Sequence, residues 1–312
     1  MRIRKTKGHH TIKEVFFLFC VPFLIDAQGL SPAQGGKGQI RGQATLSWES
    51  HQIHVRAALA LTPNGIQLPT GRTEAMERLT MEFPAQIRPF FLNLQVSSTT
   101  TIADLLKENT ILPDVLDTYI SSASPLSTYI DFPKDELVAT YTFPLHHLLA
   151  TLIQHTRPRS LPRPLTTVAS RPYTGIIIIA KDPLPIHGKK ETSYLIPCLF
   201  PRIWDSAMNL VYERTMVDPT IARQNGIVHY TNERAILLPT PSGLQNSLIP
   251  LVGEYPLRIL AEGVFGVTPT DPIINREDAL RILSNEENRE LLRQGRMIMV
   301  IADQQIEQTF SW

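Results

Sequence analysis

The sequence predicts an α+β protein of two small domains, each a short sheet packed with helices. Three observations lead there. Segments that alternate apolar and polar residues lie between runs with helical spacing. A Pro/Arg-rich stretch without apolar periodicity, residues 155–172, divides the chain. The first 27 residues have the composition of a signal peptide rather than of a folded element.

The leader begins with the basic run "MRIRKTKGHHTIKE" and continues into "VFFLFCVPFLI". That apolar core is too short to span a bilayer, which takes about 20 residues. Ala27 is the small residue expected at the cleavage point, with Ile25 at the −3 position. Residues 1–27 are therefore predicted to be removed on export, leaving a periplasmic chain, with attachment at the outer membrane as a variant. The whole sequence carries a formal charge of +1 over 312 residues. Without the leader the balance turns slightly acidic, which does not suit a nucleic-acid partner held by electrostatics. The 43% hydrophobic content is enough for a sizeable core. Cys20 lies in the leader, so only Cys198 would remain and no intrachain disulfide could form. Lipidation of Cys20 is disfavoured by Phe19 immediately before it.

Residues 28–42 read as a tether, and residues 43–154 as the first domain. "QATLSWE" and "HQIHVRAALAL" form a hairpin turning at Ser50–His51, with Trp48 buried. "GRTEAMERLTMEFPAQIRPFFLNL" is an amphipathic helix starting near Thr70 or Thr73. Pro84 and Pro89 predict a kink or break near Phe83, because an interior proline costs about 3 kcal/mol. "LQVSSTTT" is a strand running into a polar loop. "TIADLLKENT" and "ILPDVLDTYISSA" are two short helices. "ELVATYTFPL" is a strand, and "LHHLLATLI" closes the domain as a helix.

The linker, residues 155–172, carries four prolines and four arginines: Arg157, Arg159, Arg163 and Arg171. These arginines are the candidate surface contacts, either to an anionic partner or simply to solvent. The second domain, residues 173–312, opens with "YTGIIIIAKD", an apolar strand leaving the core at Lys181–Asp182. "LIPCLFPRIW" and "NLVYERTMV" read as strands around a turn at Asp205–Asn209, "DPTIARQNG" as a helical turn, and "GIVHYT" and "YPLRILAEGVFG" as strands. The end reads strand, helix, helix, strand. Asn275 caps the first helix, Ser284 with Glu287 suggests a capping box for the second, and Gly295 stops it.

Chemistry is sparse. No nucleophile-elbow, zinc-protease or P-loop motif occurs. His146 and His147 would point about 100° apart on a helix and suit a shared metal poorly. Cys198 sits in an apolar run and reads as a small core residue. Asp182, Asp205, Asp218, Asp271 and Asp303 all fall at strand or turn ends, where aspartate is common for its turn chemistry. The sequence thus assigns no catalytic, cofactor-binding or metal-binding residue.

The stretches "QATLSWESHQIHVRAALAL", "GRTEAMERLTMEFPAQIRPFFLNLQVSSTTTIADLL" and "ELVATYTFPL" resemble the FlgP/FlgT-type flagellar and cell-envelope proteins of bacteria. "YTGIIII", "LFPRIWD" and "GVTPTDPIINREDALRILSNEENRELLRQGRMIMVI" are similar to the region that accompanies that domain. The chain departs from the pattern at Pro84 and Pro89. It also carries Ile179, Lys181 and Asp182 where the family has Asp, Arg and Gly. The resemblance implies a non-enzymatic, exported structural or assembly protein, with envelope or flagellar-motor partners and ring-like homo-oligomers. It also implies compact domains with a helix on a small antiparallel sheet. The other two readings are a peptidoglycan- or lipid-binding periplasmic module using the linker arginines, and a periplasmic hydrolase with converging carboxylates.

Overall fold

The structure is a computed structural model describing residues 40–111, 113–236 and 247–312. The leader, Cys20 and Ala27 lie outside the described residues. Residues 40–312 fold as two α+β domains.

In the first domain, β1 (Arg41–Ser47) and β2 (Gln52–Ala60) form the expected hairpin. Order begins slightly earlier than the tether reading placed it. Ile40 is fully buried and Arg41 already pairs with Ala58, so residues 40–42 belong to the domain. Helix α1 (Arg72–Leu92) runs unbroken through Pro84 and Pro89, so of the expected kink or break near Phe83 the break does not occur. The reason is its buried stripe of Ala75, Leu79, Phe83, Ile87, Phe90 and Phe91. Each large side chain there contributes about 1.5–3 kcal/mol, so the stripe outweighs the proline penalties. Phe83 also stacks on Tyr141 with ring centroids 4.1 Å apart.

Next come β3 (Gln95–Ser97), β4 (Thr100–Thr101) and α2 (Ile102–Lys107). Thr101 and Asp104 form a reciprocal capping box at the start of α2. Then follow α3 (Pro113–Ser121), β5 (Ser127–Asp131), β6 (Glu136–Pro144) and α4 (Leu145–Leu152). The linker that follows has neither helix nor strand, but it is held in place. The Arg159 N–H donates to the Thr215 carbonyl at 2.7 Å and the Val168 N–H to Ser284 Oγ at 3.1 Å. The buried Asn288 side chain holds its far end, accepting from the Tyr173 N–H and donating to Ser170 Oγ and the Arg171 carbonyl.

The second domain contains β7 (Ile176–Ala180), β8 (Leu184–Pro185), β9 (Thr192–Ser193), β10 (Ile203–Asp205) and β11 (Leu210–Tyr212). Then come α5 (Pro219–Asn225), β12 (His229–Thr231), α6 (Glu233–Ile236), α7 (Ile249–Val252) and β13 (Leu257–Phe265). The last elements are β14 (Asp271–Ile274), α8 (Arg276–Leu283), α9 (Glu286–Arg293), β15 (Met297–Ile301), α10 (Asp303–Ile306) and β16 (Glu307–Ser311). The strand expected in "LIPCLFPRIW" shrinks to β10, because Pro197 and Pro201 interrupt it. Helix α9 is capped by Asn285, which accepts from the Asn288 N–H, while Ser284 instead ends α8. The capping-box reading was therefore one residue early.

Two sheets organise the chain. The first is antiparallel, ordered β16-β1-β2-β6-β5. The second has the order β11-β10-β14-β13-β7-β15-β12, with β13, β7, β15 and β12 running parallel. The chain's final strand crosses back to the first sheet, with Gln43 facing Ser311. The segment 173–312 is therefore not self-contained. The Gly42 N–H and carbonyl exchange hydrogen bonds with Trp312 at 3.0 Å each, and the Trp312 ring lies where a Cβ on Gly42 would be.

The isoleucine run forms β7, flanked on both edges by parallel neighbours. Ile178 faces Ile259 on one side and Met299 on the other. One face, Ile176 and Ile178, packs into the main core, and the other, Ile177, packs with Ala235, Ile236 and Val252. A continuous apolar run is what two buried faces require. Just before it, a Cβ on Gly175 would lie 2.5 Å from both the Cα and the carbonyl oxygen of Val252. Gly175→Ala is therefore expected to destabilise the protein by about 1–3 kcal/mol, because backbone must shift to admit it. Chemical denaturation of the variant checks this, and an unchanged midpoint would contradict the packing described.

Candidate functional site

The seam between the domains brings several polar and aromatic side chains together. The hairpin tip between β1 and β2 inserts against β12. The Trp48 ring meets the Tyr230 ring edge-on at 5.4 Å, the Thr231 hydroxyl donates to Glu49 at 2.9 Å, and the His51 and His229 rings lie 5.0 Å apart. His51 takes a positive φ of 53° at the tip, a conformation that favours glycine, and its carbonyl accepts from the Leu145 N–H. Burial, then the neighbouring His229, lowers the His51 pKa to about 4.

Behind the tip lies a buried polar chain. The Tyr230 hydroxyl bridges the Cys198 backbone, accepting from its N–H at 3.2 Å and donating to its carbonyl at 3.0 Å. Burial pushes the Cys198 thiol and the Tyr230 phenol up, so both are neutral. Asp271 is also pushed up by burial, opposed by hydrogen bonds from the Arg202 N–H, the Thr270 hydroxyl and the Trp204 indole. These bonds satisfy a buried carboxylate rather than prepare it to react.

Four of the five predicted aspartates, Asp205, Asp218, Asp271 and Asp303, have structural partners of their own. Asp205 organises the turn to Asn209, accepting from the Ala207 and Asn209 N–H groups. Asp218 caps α5, and Asp303 pairs with Arg234 at 3.4 Å. Asp271 and Asp205 stand at opposite ends of the parallel pair β10 and β14. At the end of β7, Lys181 turns to Glu233 at 2.6 Å, and that hydrogen bond raises its pKa. Asp182 is exposed. The rings of His146 and His147 contact each other at 4.3 Å. Among the described residues no group of three or more His, Cys, Asp or Glu side chains is arranged to hold a metal.

The linker arginines part company. Arg159 pairs with Glu213 at 3.4 Å, and Arg171 lies over the Tyr173 ring at 5.2 Å. Arg163 lines a cleft of about 400 Å³ with Asp205 and Arg276. Arg157 is exposed.

A second cleft, of about 220 Å³, lies on the seam between the β3–α2 region and the segment around β10 and β11. Arg202 and Arg214 line it with the threonines 99, 100 and 110. Sequence reasoning missed this pair, since two arginines twelve residues apart match no motif.

The two domains just described correspond to two family models. Residues 39–151 match Treponema pallidum Tp0624, N-terminal domain, and residues 175–304 match Treponema pallidum Tp0624, second domain. The chain carries both Tp0624-type domains, in that order. The matches leave out the linker and the final strand β16, the segments that fasten the Tp0624-type domains to each other. No curated protein matches the chain. Among the described residues no helix is long and apolar enough to cross a membrane.

Proposed function

We propose that the chain is a non-enzymatic structural or assembly component of the bacterial cell envelope, exported to the periplasm. The FlgP/FlgT resemblance suggests the flagellar motor as its setting. The observation that carries this reading is a joined, two-domain body that leaves sheet edges open. Among the described residues, neither β5 nor β16 has a strand partner on its outer side. Beside β5, Leu126 and Phe132 are 77% and 76% exposed, and Tyr129 is half exposed. An open edge flanked by apolar side chains is a template for association. The leader pattern supports export, and the structural work of the strand-end aspartates weighs against a carboxylate hydrolase.

The test is affinity capture of the tagged full-length chain from its own envelope fraction, beside chemical crosslinking. The wild type is expected to recover an envelope partner or further copies of itself. Leu126→Asp with Phe132→Asp is expected to abolish that recovery without lowering the melting temperature. A chain retained in the cytoplasm would overturn the reading, as would a deletion that leaves motility and envelope integrity unchanged.

A further inference from the structure

We infer that the seam cleft lined by Arg202 and Arg214 binds a small ligand through its phosphate group. The Arg214 guanidinium is partly buried and lies over the Phe200 ring, its Cζ 5.3 Å from the centroid. A cation over a ring face makes no hydrogen bond through its N–H groups, so guanidinium donors remain for the cleft that Arg214 lines. No hydrogen-bond acceptor or carboxylate partner within the described residues takes those donors. Removing a charge from water without pairing it is unfavourable, and an anion in the cleft would reverse that. Burial and the neighbouring Arg202 both act against the Arg214 charge, and Glu213 is the countercharge nearby.

Glu213 is itself already engaged. The Thr215 hydroxyl donates to it at 2.6 Å, Arg159 approaches at 3.4 Å, and Arg202 reaches it only at 3.9 Å. One carboxylate thus faces three guanidinium groups. The cleft's other carboxylate, Glu108, is exposed, where water and salt screen it.

The donors select among anions. Two guanidinium forks and the threonine hydroxyls offer more N–H and O–H groups than one carboxylate can accept. A phosphate presents three terminal oxygens and up to two charges, which matches them. The volume of about 220 Å³ leaves room for a phosphate with a few further heavy atoms, and is smaller than a drug-sized pocket.

The experiment is calorimetric titration of the folded full-length chain at low salt with glycerol 3-phosphate, inorganic phosphate, succinate and glycerol. Saturable binding is expected for the two phosphates, at least tenfold tighter than for succinate, and none for glycerol. Arg214→Ala is expected to weaken phosphate binding by about tenfold or more. Arg202→Ala should weaken it similarly, and Arg214→Lys partially, because the charge remains and the fork is lost. Arg163→Ala, in the other cleft, should leave it unchanged. Melting curves without ligand show which variants are folded. If Arg214→Ala does not fold, Arg202→Ala and Arg214→Lys decide. Equal affinity for succinate and phosphate, phosphate binding unaffected in the folded variants, or no phosphate binding would each overturn the inference.

Discussion

Replacing Trp48 with alanine is expected to destabilise the protein by about 3–5 kcal/mol, the range for deleting a large buried aromatic. Trp48 is 1% exposed and sits at the hairpin tip, where the first domain enters the second. Its ring meets Tyr230, and its neighbours include Leu145, Leu149 and Cys198, so the cavity would open between the domains. Its backbone N–H, which alanine keeps, donates to the Ile306 carbonyl at 2.9 Å, next to the start of β16. The buried indole Nε1 has no partner among the described residues. Trp48→Phe would remove that orphan donor and keep most of the apolar contact, so its loss should be much smaller than that of alanine. Denaturant unfolding of both variants checks the order. A loss below about 1 kcal/mol for Trp48→Ala would show that the tip does not join the domains.

Acidification is expected to weaken the same seam. His51 is held neutral in the folded state, with its pKa lowered to about 4 from 6.5. Above about pH 6.5 both the folded and unfolded forms are neutral at this residue, and its contribution to stability is fully present. As pH falls from 6.5 towards 4, the unfolded chain binds a proton that the folded chain does not. Stability is lost across that window, about 3 kcal/mol from His51 alone. His229, also lowered by burial, adds in the same direction. The carboxylates whose pKa is lowered in the fold, Asp104 and Asp135, act at lower pH, whereas Asp271 and Asp278, raised by burial, act in the opposite direction as they protonate. Melting temperature measured from pH 7 to pH 4.5 should fall in the wild type and fall less in His51→Gln. Parallel curves for the two proteins would remove His51 from the explanation.

Most of the elements were legible because their signals are local. The period-two pattern Ile53, Val55, Ala57 announced β2, and Asn275 with Glu277 and Asp278 announced α8. The run of four isoleucines announced the apolar strand β7. Three departures share a cause. Helix α1 does not break at Pro84 or Pro89 because its buried stripe overrides the local penalty, and that stripe becomes visible only against its neighbours. The cap of α9 moved from Ser284 to Asn285 because both residues can cap and only the backbone path chooses. The crossing of β16 was not anticipated because "EQTFS" pairs with a strand more than 250 residues earlier.

The candidate site was less legible still. Arg159 was picked out with its linker neighbours, yet its partner Glu213 and the Arg202–Arg214 pair are brought to it by the packing of two domains. Sequence by itself determined the α+β class, the two-domain layout, the helix and strand types and the lack of a recognisable catalytic motif. All of these follow from residue periodicity, short-range capping, linker composition and motif spacing. Only the tertiary structure decided that the last strand completes the first sheet, that Trp48 and His51 join the domains, and that Arg214 stands over Phe200 without an acceptor among the described residues. Such contacts depend on which distant surfaces meet, and that is set by summed burial over the whole chain rather than by any one stretch of it.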